Sequence, residues 1–193
     1  MKPWVVVSYY TIDAYYKKLA SNFVETLTKH KIPYHVKPIE GFKDWKKNTC
    51  YKPEFLLSML HTYPGTNIIW VDCDAEFNCY PWLFDVLDCN VAAFEFDRRE
   101  YYGHGSGKEL LSGTLYLQNN ATTIEFVEKW KSQCGANPHV FDQKSLEVVL
   151  EGDYYRLPAS YCQIFDSMSE VKDPVITHFQ ASRRVRRDPS VIK

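Results

Sequence analysis

The first half of the chain alternates short apolar runs with longer amphipathic segments, and this alternation constrains the fold most. Residues 4–8 and 67–71 are apolar except for Ser8 and Asn67 at their ends, as expected for buried strands. Between them, residues 15–30 place Phe23 and Leu27 on one helical face. We therefore predict a single α/β domain in which helices flank a mostly parallel central sheet.

Further segments extend this pattern along the chain. Asp13 is a candidate N-cap for the first helix, and Pro53 and Glu54 begin a helix that ends before Pro64. Gly135 is the expected end of a later helix. The remaining predicted strands cover residues 34–37, 90–96, 114–118, 154–157 and 175–179, and the remaining predicted helices cover residues 122–133 and a short stretch after Asp142.

A polar segment at residues 97–110 interrupts the regular pattern. It contains Gly103, Gly105 and Gly107, and its irregular composition predicts a loop. This loop is either a lid over a bound ligand or only a mobile connection.

Composition and charge limit the classes of function. The chain has 193 residues, of which 45% are hydrophobic and 24% charged, so it can form a packed core and is not expected to be disordered. The formal net charge of −1 argues against a protein that grips nucleic acid over its whole surface. Four arginines among residues 183–187 are the exception. They predict a domain at residues 1–182 and a basic tail at 183–193, which is either solvated or a phosphate-binding patch.

Cysteine usage and the N-terminal segment give an expectation about location. The six cysteines include no Cys-x-x-Cys pair and have no zinc-site spacing. The apolar run at 4–8 is too short for a signal peptide or a membrane span. We therefore expect reduced thiols in a cytoplasmic protein without a membrane span.

The strongest chemical feature is Asp72-Cys73-Asp74, which directly follows the apolar run at 67–71. Side chains two residues apart point the same way in an extended chain, so the two carboxylates can converge on one cation at a strand end. Oxygen ligands suit Mg²⁺ or Mn²⁺, which would bridge a diphosphate and offset its charge as it leaves. The alternative is two acids in a solvated turn. Glu76 shares the alternation but is expected to be solvated.

Four blocks of sequence, in this order, resemble the GT-A glycosyltransferases. The resemblance is to the glycogenin and bacterial galactosyltransferase group, and to compact phage or bacterial nucleotide-diphospho-sugar transferases. The blocks are Ile69-Trp70-Val71-Asp72-Cys73-Asp74-Ala75, Leu111-Ser112-Gly113-Thr114-Leu115-Tyr116, Phe141-Asp142-Gln143 and Val175-Ile176-Thr177-His178-Phe179-Gln180. The resemblance implies a Rossmann-like GT-A fold and a metal-dependent hexosyltransferase. It also implies a nucleotide-sugar donor with UDP as the carrier, and retention of configuration.

The resemblance further implies roles for individual residues. Asp72, Asp74 and His178 would hold the metal, Mn²⁺ or Mg²⁺, and Asp142 and Gln143 would lie near the reacting carbon. The implied donor-binding residues, besides Asp72, are Tyr9, Tyr10 and Thr11 in a loop after the first strand, Ser112, Gly113 and Thr114, and Arg183 or Arg184. We add Lys52 as a candidate for phosphate contact.

Each of these roles has a structural alternative. His178 could be a hydrogen-bonded core histidine, which its residue type alone favours. Asp142 could be only the N-cap of a helix, and Gly113 could serve a tight turn. Lys52 could be solvated, and the aromatic residues after the first strand could simply pack.

The chain also departs from the pattern it resembles. Many members have a glycine and a lysine for the phosphates after the late histidine, whereas this chain has Gln180-Ala181-Ser182-Arg183-Arg184. Arginine suits that task, because guanidinium fits phosphate oxygens in a fork. The chain is shorter than typical members, so we expect no separate acceptor subdomain.

Three other functions stay open at this stage. A nucleotidyltransferase could use the same sheet and carboxylates to hold a nucleoside triphosphate. A phosphatase of the haloacid dehalogenase type is disfavoured, because its motif follows the first strand and about 70 residues precede it here. A catalytically silent nucleotide- or carbohydrate-binding module would bind without turnover. The acceptor could be a glycan, a glycolipid, a protein or a modified DNA base, and the basic tail weakly favours the last.

Overall fold

A six-stranded mixed sheet forms the centre of the molecule. The computed structural model describes residues 2–42, 44–103, 107–152, 154–168 and 170–188. The strands of this sheet are β1 (Trp4–Thr11), β2 (Tyr34–Ile39), β3 (Asn67–Val71), β5 (Val91–Asp97), β6 (Lys108–Leu117) and β7 (Tyr155–Arg156). Their spatial order is β2-β1-β3-β6-β5-β7, and β6 runs against the other five. The predicted mostly parallel α/β sheet is confirmed.

Eight helices surround the sheet in the described part of the chain. They are α1 (Ala14–Lys29), α2 (Trp45–Cys50), α3 (Lys52–Thr62), α4 (Leu83–Val86), α5 (Arg98–Tyr102), α6 (Ala121–Ala136), α7 (Asp142–Val149) and α8 (Ala181–Arg187), with a short 3₁₀ turn at Ala159–Tyr161. Asp13 caps α1 as predicted, because its side chain accepts from the backbone N–H of Tyr16. α3 begins one residue before Pro53, so the proline stands in the first turn as expected.

Successive side chains along a strand point to opposite faces of the sheet, so the core is divided between the two faces. Val6 and Ile69 pack on the face that α1 covers, with Phe23 and Leu27 of that helix. Their neighbours along the strands, such as Trp70, pack on the opposite face beneath α3, α6 and α7. Because both faces are covered, the buried parts of β1 and β3 are apolar except for Ser8 and Asn67 at their ends.

A second, three-stranded sheet lies beside the carboxyl end of β3. It consists of β4 (Ala75–Phe77), β9 (Ile176–His178) and β8 (Gln163–Ile164), in the order β4-β9-β8. β4 follows the Asp-Cys-Asp turn directly, and β9 pairs antiparallel with it. The sequence analysis predicted the strand at 175–179 but no second sheet, so this small sheet is an addition to the predicted fold.

Other expectations about local structure were wrong. The segment at 97–110 contains α5 and the first residues of β6, because Asp97 caps α5 and Lys108 pairs with Asp97 across the sheet. Gly105, one of its three glycines, lies outside the described residues. Gly135 is inside α6, which runs on to Ala136. The sequence analysis did not identify α2.

Two negative findings concern the described residues. None of the helices there is both long enough and apolar enough to cross a membrane. The six cysteines, all within the described residues, form no disulfide with one another.

Candidate active site

The Asp-Cys-Asp motif lies where β3 ends and β6 continues past it. Val71, the last residue of β3, pairs with Thr114 of β6. The next backbone N–H, that of Asp72, donates to the carbonyl of Gly113 at 2.9 Å. The longer β6 therefore fixes the backbone of Asp72 beyond the end of its own strand.

His178 reaches the same place through the small sheet. It pairs with Ala75, directly after the motif, and the N–H of Phe179 donates to the carbonyl of Asp74 at 3.0 Å. As a result, three possible ligand atoms lie within 4.8 Å of one another, one each from Asp72, Asp74 and His178. Two carboxylates and an imidazole at this spacing form a donor set that suits Mn²⁺, with coordination positions left for substrate oxygens.

Each of these three side chains also forms a hydrogen bond that holds it in place. Asp72 Oδ1 accepts from Trp70 Nε1 at 2.9 Å, and Asp74 Oδ2 accepts from the backbone N–H of Ala181 at 2.6 Å. His178 Nε2 lies 2.8 Å from Thr114 Oγ1. Such outer contacts are typical of metal ligands, because they orient the coordinating atoms. We call Asp72, Asp74 and His178 the metal-site triad.

Gly113 permits the close approach of two members of this triad. A Cβ at Gly113 would lie 3.1 Å from His178 Cε1, 3.3 Å from His178 Nδ1 and 3.5 Å from Asp72 Oδ2. The glycine stands within β6, so the tight-turn interpretation is wrong. Any side chain here would push against the imidazole and would fill the space that His178 Nδ1 and Asp72 Oδ2 share.

Burial sets the protonation of the triad. Withdrawal from water, reinforced by the charge of Lys52, lowers the pKa of His178 to about 3, so its imidazole is neutral at pH 7. Desolvation and the neighbouring charge of Asp72 raise the pKa of Asp74 to about 6. Desolvation also raises the pKa of Asp72, although Lys52 opposes this. A neutral imidazole and two crowded carboxylates favour the binding of a cation.

Lys52 is the centre of a second charged cluster. Its Nζ lies 3.1 Å from Asp72 Oδ1 and 2.8 Å from Asp142 Oδ2. It also donates to the carbonyl and hydroxyl oxygens of Ser112, at 3.0 and 3.1 Å. Burial lowers the pKa of Lys52, but Asp142 and Asp72 outweigh it, so the net shift is upward and the ammonium stays charged. We call Lys52, Asp72, Ser112 and Asp142 the lysine cluster, and the solvated interpretation of Lys52 is wrong.

Asp142 is buried at the start of α7, with 3% of its surface exposed. The N-cap of that helix is Phe141, and the Asp142 carboxylate instead accepts from Ser112 Oγ at 2.8 Å and from Lys52. The capping interpretation of Asp142 is therefore wrong. A buried carboxylate beside a cleft, held by a lysine and a serine, is a candidate for a role in chemistry.

A cleft of about 910 Å³ brings most of the predicted site residues together. Besides the metal-site triad, the predicted residues that line it are Tyr9, Tyr10, Thr11, Lys52, Ser112, Gly113, Asp142, Gln143 and Arg183. The first three belong to the end of β1 rather than to a loop after it. Tyr9 also packs against Trp70, with ring centroids 5.1 Å apart, and its hydroxyl donates to the carbonyl of Asn48 at 2.6 Å.

Two of the predicted donor-binding residues do not line this cleft. Thr114 is fully buried behind His178. Arg184 is exposed, with its guanidinium 5.6 Å from the ring of Tyr15. Both arginines lie in α8, inside the segment predicted as a tail, and Arg183 forms an ion pair with Asp166 at 3.1 Å. Residues 189–193 of that segment lie outside the described residues.

Sequence reasoning missed the contribution of α2 to the cleft. Trp45 and Asn48 of this helix line it. Asp44 caps α2 by accepting from the N–H groups of Lys46 and Lys47, so an N-cap signal was present in the sequence. The contact of the Ala181 N–H with Asp74 had no such signal in the sequence. It depends on a turn at Gln180, which adopts a left-handed conformation at φ 55°, and glutamine is not a residue typical of that conformation.

The fold is similar to the GT-A-like fold of solved glycosyltransferases. A glycosyltransferase involved in the glycosylation of the major capsid of PBCV-1 has a similar structure, with a TM-score of 0.73, 17% identity and 98% of each chain covered. Galactosyltransferase LgtC, solved with donor and acceptor sugar analogs, has a TM-score of 0.59, 11% identity and coverage of 98% and 96%.

Glycosyltransferase GlyE of Streptococcus pneumoniae TIGR4 is also similar, with a TM-score of 0.65 and 16% identity. The alignment covers 92% of this chain but only 54% of GlyE, so the chain spans about half of that protein. No family model matches the sequence, and no curated protein matches it by sequence.

Proposed function

We propose that this protein is a metal-dependent glycosyltransferase that moves a sugar from a nucleoside diphosphate to an acceptor hydroxyl. The observation that carries the proposal is the metal-site triad, which faces one cleft together with the buried carboxylate of Asp142. The fold shared with glycosyltransferases supports it.

Asp72, Asp74 and His178 would hold Mn²⁺ or Mg²⁺. When bound, this ion would supply positive charge to the diphosphate that leaves the sugar. The carboxylates favour a hard cation, and the neutral imidazole favours Mn²⁺ over Mg²⁺. Asp72 and Asp74 reach the cleft already oriented by Trp70 and by the Ala181 N–H, and His178 by Thr114. Little reorganisation is therefore needed when the ion binds.

The donor would lie along the cleft between the end of β1 and α8. Tyr9, Tyr10 and Thr11 line the part of the cleft next to α2, where we place the base and ribose of UDP. Arg183, at the other side, would turn from Asp166 to the diphosphate oxygens, which a guanidinium can bind through two N–H groups. The choice of uridine rests on the resemblance of the sequence blocks.

Transfer would occur beside Asp142 and Gln143. The acceptor oxygen would form a bond to the anomeric carbon as the bond to the diphosphate breaks, and the hydroxyl proton would leave with the diphosphate. Lys52 and Ser112 hold the Asp142 carboxylate in place, where it would face the developing positive charge on the sugar. Retention of configuration is expected from the resemblance. Identifying the anomer of the product tests this expectation.

The acceptor class stays open among a glycan, a glycolipid, a protein and a modified DNA base. One structural neighbour is involved in the glycosylation of a viral major capsid, which makes a protein-linked glycan the first candidate to test.

Donor hydrolysis tests this function without knowledge of the acceptor. A panel of UDP-, GDP- and ADP-sugars is incubated with the protein and Mn²⁺ or Mg²⁺, and free sugar is measured. We expect turnover of at least one UDP-sugar, its loss in EDTA, and its loss in Asp74→Asn but not in Asp88→Asn, a control in an exposed aspartate. Full activity in EDTA contradicts the proposal. Turnover of nucleoside triphosphates instead of diphospho-sugars indicates a nucleotidyltransferase, and binding without turnover indicates a silent module.

A further inference from the structure

Thr114 stands behind the cleft, in contact with the imidazole of His178. It lies in β6 opposite Val71 and is fully buried. Its Oγ1 is 2.8 Å from Nε2 of His178, which is itself only 2% exposed. A β-branched residue suits this strand position, and valine would fill it equally well. What threonine adds to valine is the hydroxyl, and a hydroxyl in this apolar environment needs a polar partner.

The direction of the Thr114–His178 hydrogen bond decides whether the imidazole can bind a metal. A neutral imidazole carries one proton, on either Nδ1 or Nε2. If Thr114 donates to Nε2, the proton is on Nδ1 and that nitrogen has no lone pair for a cation. If Nε2 donates to Thr114, Nδ1 has a free lone pair, as in metal-bound histidines.

The position of the imidazole within the metal-site triad favours the second arrangement. Nε2 is the nitrogen that contacts Thr114, so Nδ1 is the one left to bind a cation between His178 and the two carboxylates. A cation there needs the lone pair of Nδ1, which leaves the ring proton on Nε2.

The other nitrogen of His178 points toward the cleft. Nδ1 lies 3.3 Å from the position of a Cβ on Gly113, and Asp72 Oδ2 lies 3.5 Å from the same point. Nδ1 and Asp72 Oδ2 thus border one small space, whereas Nε2 is turned away toward Thr114.

We propose that Thr114 is a positioning residue, whose hydroxyl accepts from His178 Nε2 and so keeps Nδ1 unprotonated and aimed at the metal. This inference rests on the proposed metal site. It replaces the expectation that Thr114 contacts the donor, since the described cleft-lining residues do not include it.

Two variants and two measurements test this role. Thr114→Val removes the hydroxyl with little change of shape, and Thr114→Ser keeps it. Long-range ¹H–¹⁵N NMR of the metal-free protein reports which ring nitrogen of His178 carries the proton. We expect the Nε2–H form in the wild type and in Thr114→Ser, and a mixture of both forms in Thr114→Val.

Manganese binding is then measured by calorimetry on the same samples. We expect the dissociation constant to rise about 10-fold in Thr114→Val and to stay within about 2-fold in Thr114→Ser, as for other partners of metal-binding histidines. An Nδ1–H form in the wild type overturns the proposal, even if Thr114→Val does not fold. Unchanged manganese affinity in a folded Thr114→Val also overturns it. A wild type that binds no manganese contradicts the proposed function instead, and the NMR result separates the two failures.

Discussion

The metal-site triad and the lysine cluster share Asp72 but balance their negative charge in different ways. In the lysine cluster, a buried ammonium lies within 3.1 Å of both carboxylates. In the triad, two carboxylates lie beside a neutral imidazole, and burial together with Asp72 raises the pKa of Asp74 to about 6. One carboxylate pair therefore carries its own cation, while the other is arranged for a cation from outside.

The two clusters use carboxylates beside a cation for different purposes. A permanent ammonium fixes Asp142 and one oxygen of Asp72, so it preserves the geometry of the cleft before any ligand binds. If the triad takes up a divalent ion, as proposed, binding of that ion would be coupled to binding of the diphosphate. The two clusters should accordingly respond in opposite ways to substitution and to added metal.

The largest effect is expected from Lys52→Met, which leaves the Asp142 carboxylate buried without its cation. Removal of one partner of a buried ion pair costs about 3 kcal/mol, at the lower end of the usual range because Asp72 is partly exposed. For a chain of this size, this lowers the melting temperature by roughly 6–12 °C. Thermal unfolding without metal measures it.

Lys129→Met is the matched control for this substitution. Lys129 forms an exposed ion pair with Glu125 on α6, which contributes at most about 1 kcal/mol. Equal melting temperatures for the two variants would show that Lys52 does not stabilise the lysine cluster.

The second prediction concerns His178→Ala, which removes one member of the triad. We expect the manganese dissociation constant to rise about 100-fold, because a lost ligand costs more than a lost outer contact. The metal-free protein should lose only about 1–2 kcal/mol of stability, since the side chain is small and makes one hydrogen bond through Nε2. A variant that melts much earlier but binds manganese normally would identify His178 as a core residue only.

The third prediction concerns pH. Asp74 must lose its proton to bind a cation, and its pKa is about 6 without metal. Manganese affinity should therefore be constant above pH 7 and fall about 10-fold at pH 5, which equals about 1.4 kcal/mol. In the metal-free protein, the contribution of Asp74 to the free energy of unfolding has the opposite pH dependence. The raised pKa means that Asp74 contributes more to stability as pH falls through 6 toward its unfolded value. Calorimetric titrations at pH 7 and 5 that give equal affinities would contradict this.

The smallest effect is expected from Arg183→Gln. Arg183 is exposed enough to move from Asp166, so its loss should raise the donor KM about 5-fold, or about 1 kcal/mol, and leave manganese binding unchanged. Arg187→Gln is the control, because that side chain is exposed at the far end of α8. Equal donor KM values in both variants would remove Arg183 from the donor site.

Local patterns predicted the framework of this molecule well. The apolar run at Asn67–Val71 is β3 with the expected bounds, and the Asp72-Cys73-Asp74 motif follows it at the strand end. Asp13 caps α1. These features depend on neighbours in sequence, so alternation and capping signals identify them.

The parts that sequence did not predict depend on contacts between distant residues. The partners of Lys52 lie 20, 60 and 90 positions away, and no local pattern links them. β4, β8 and β9 are two or three residues long and exist because they pair with one another. At residues 97–110, the pairing of β6 with β5 and the cap at Asp97 overrode a composition that suits a loop.

Manganese uptake by the metal-free protein is the most direct test of the contrast between the two clusters. Mn²⁺ is titrated at pH 7 into wild type, Asp74→Asn and the exposed control Asp88→Asn, and the free ion is measured by electron paramagnetic resonance. We predict one saturable site in the wild type and in Asp88→Asn, and none in Asp74→Asn, whose lysine cluster is intact. Saturable binding that persists in Asp74→Asn, or a wild type that takes up no Mn²⁺ even with UDP present, would contradict the account.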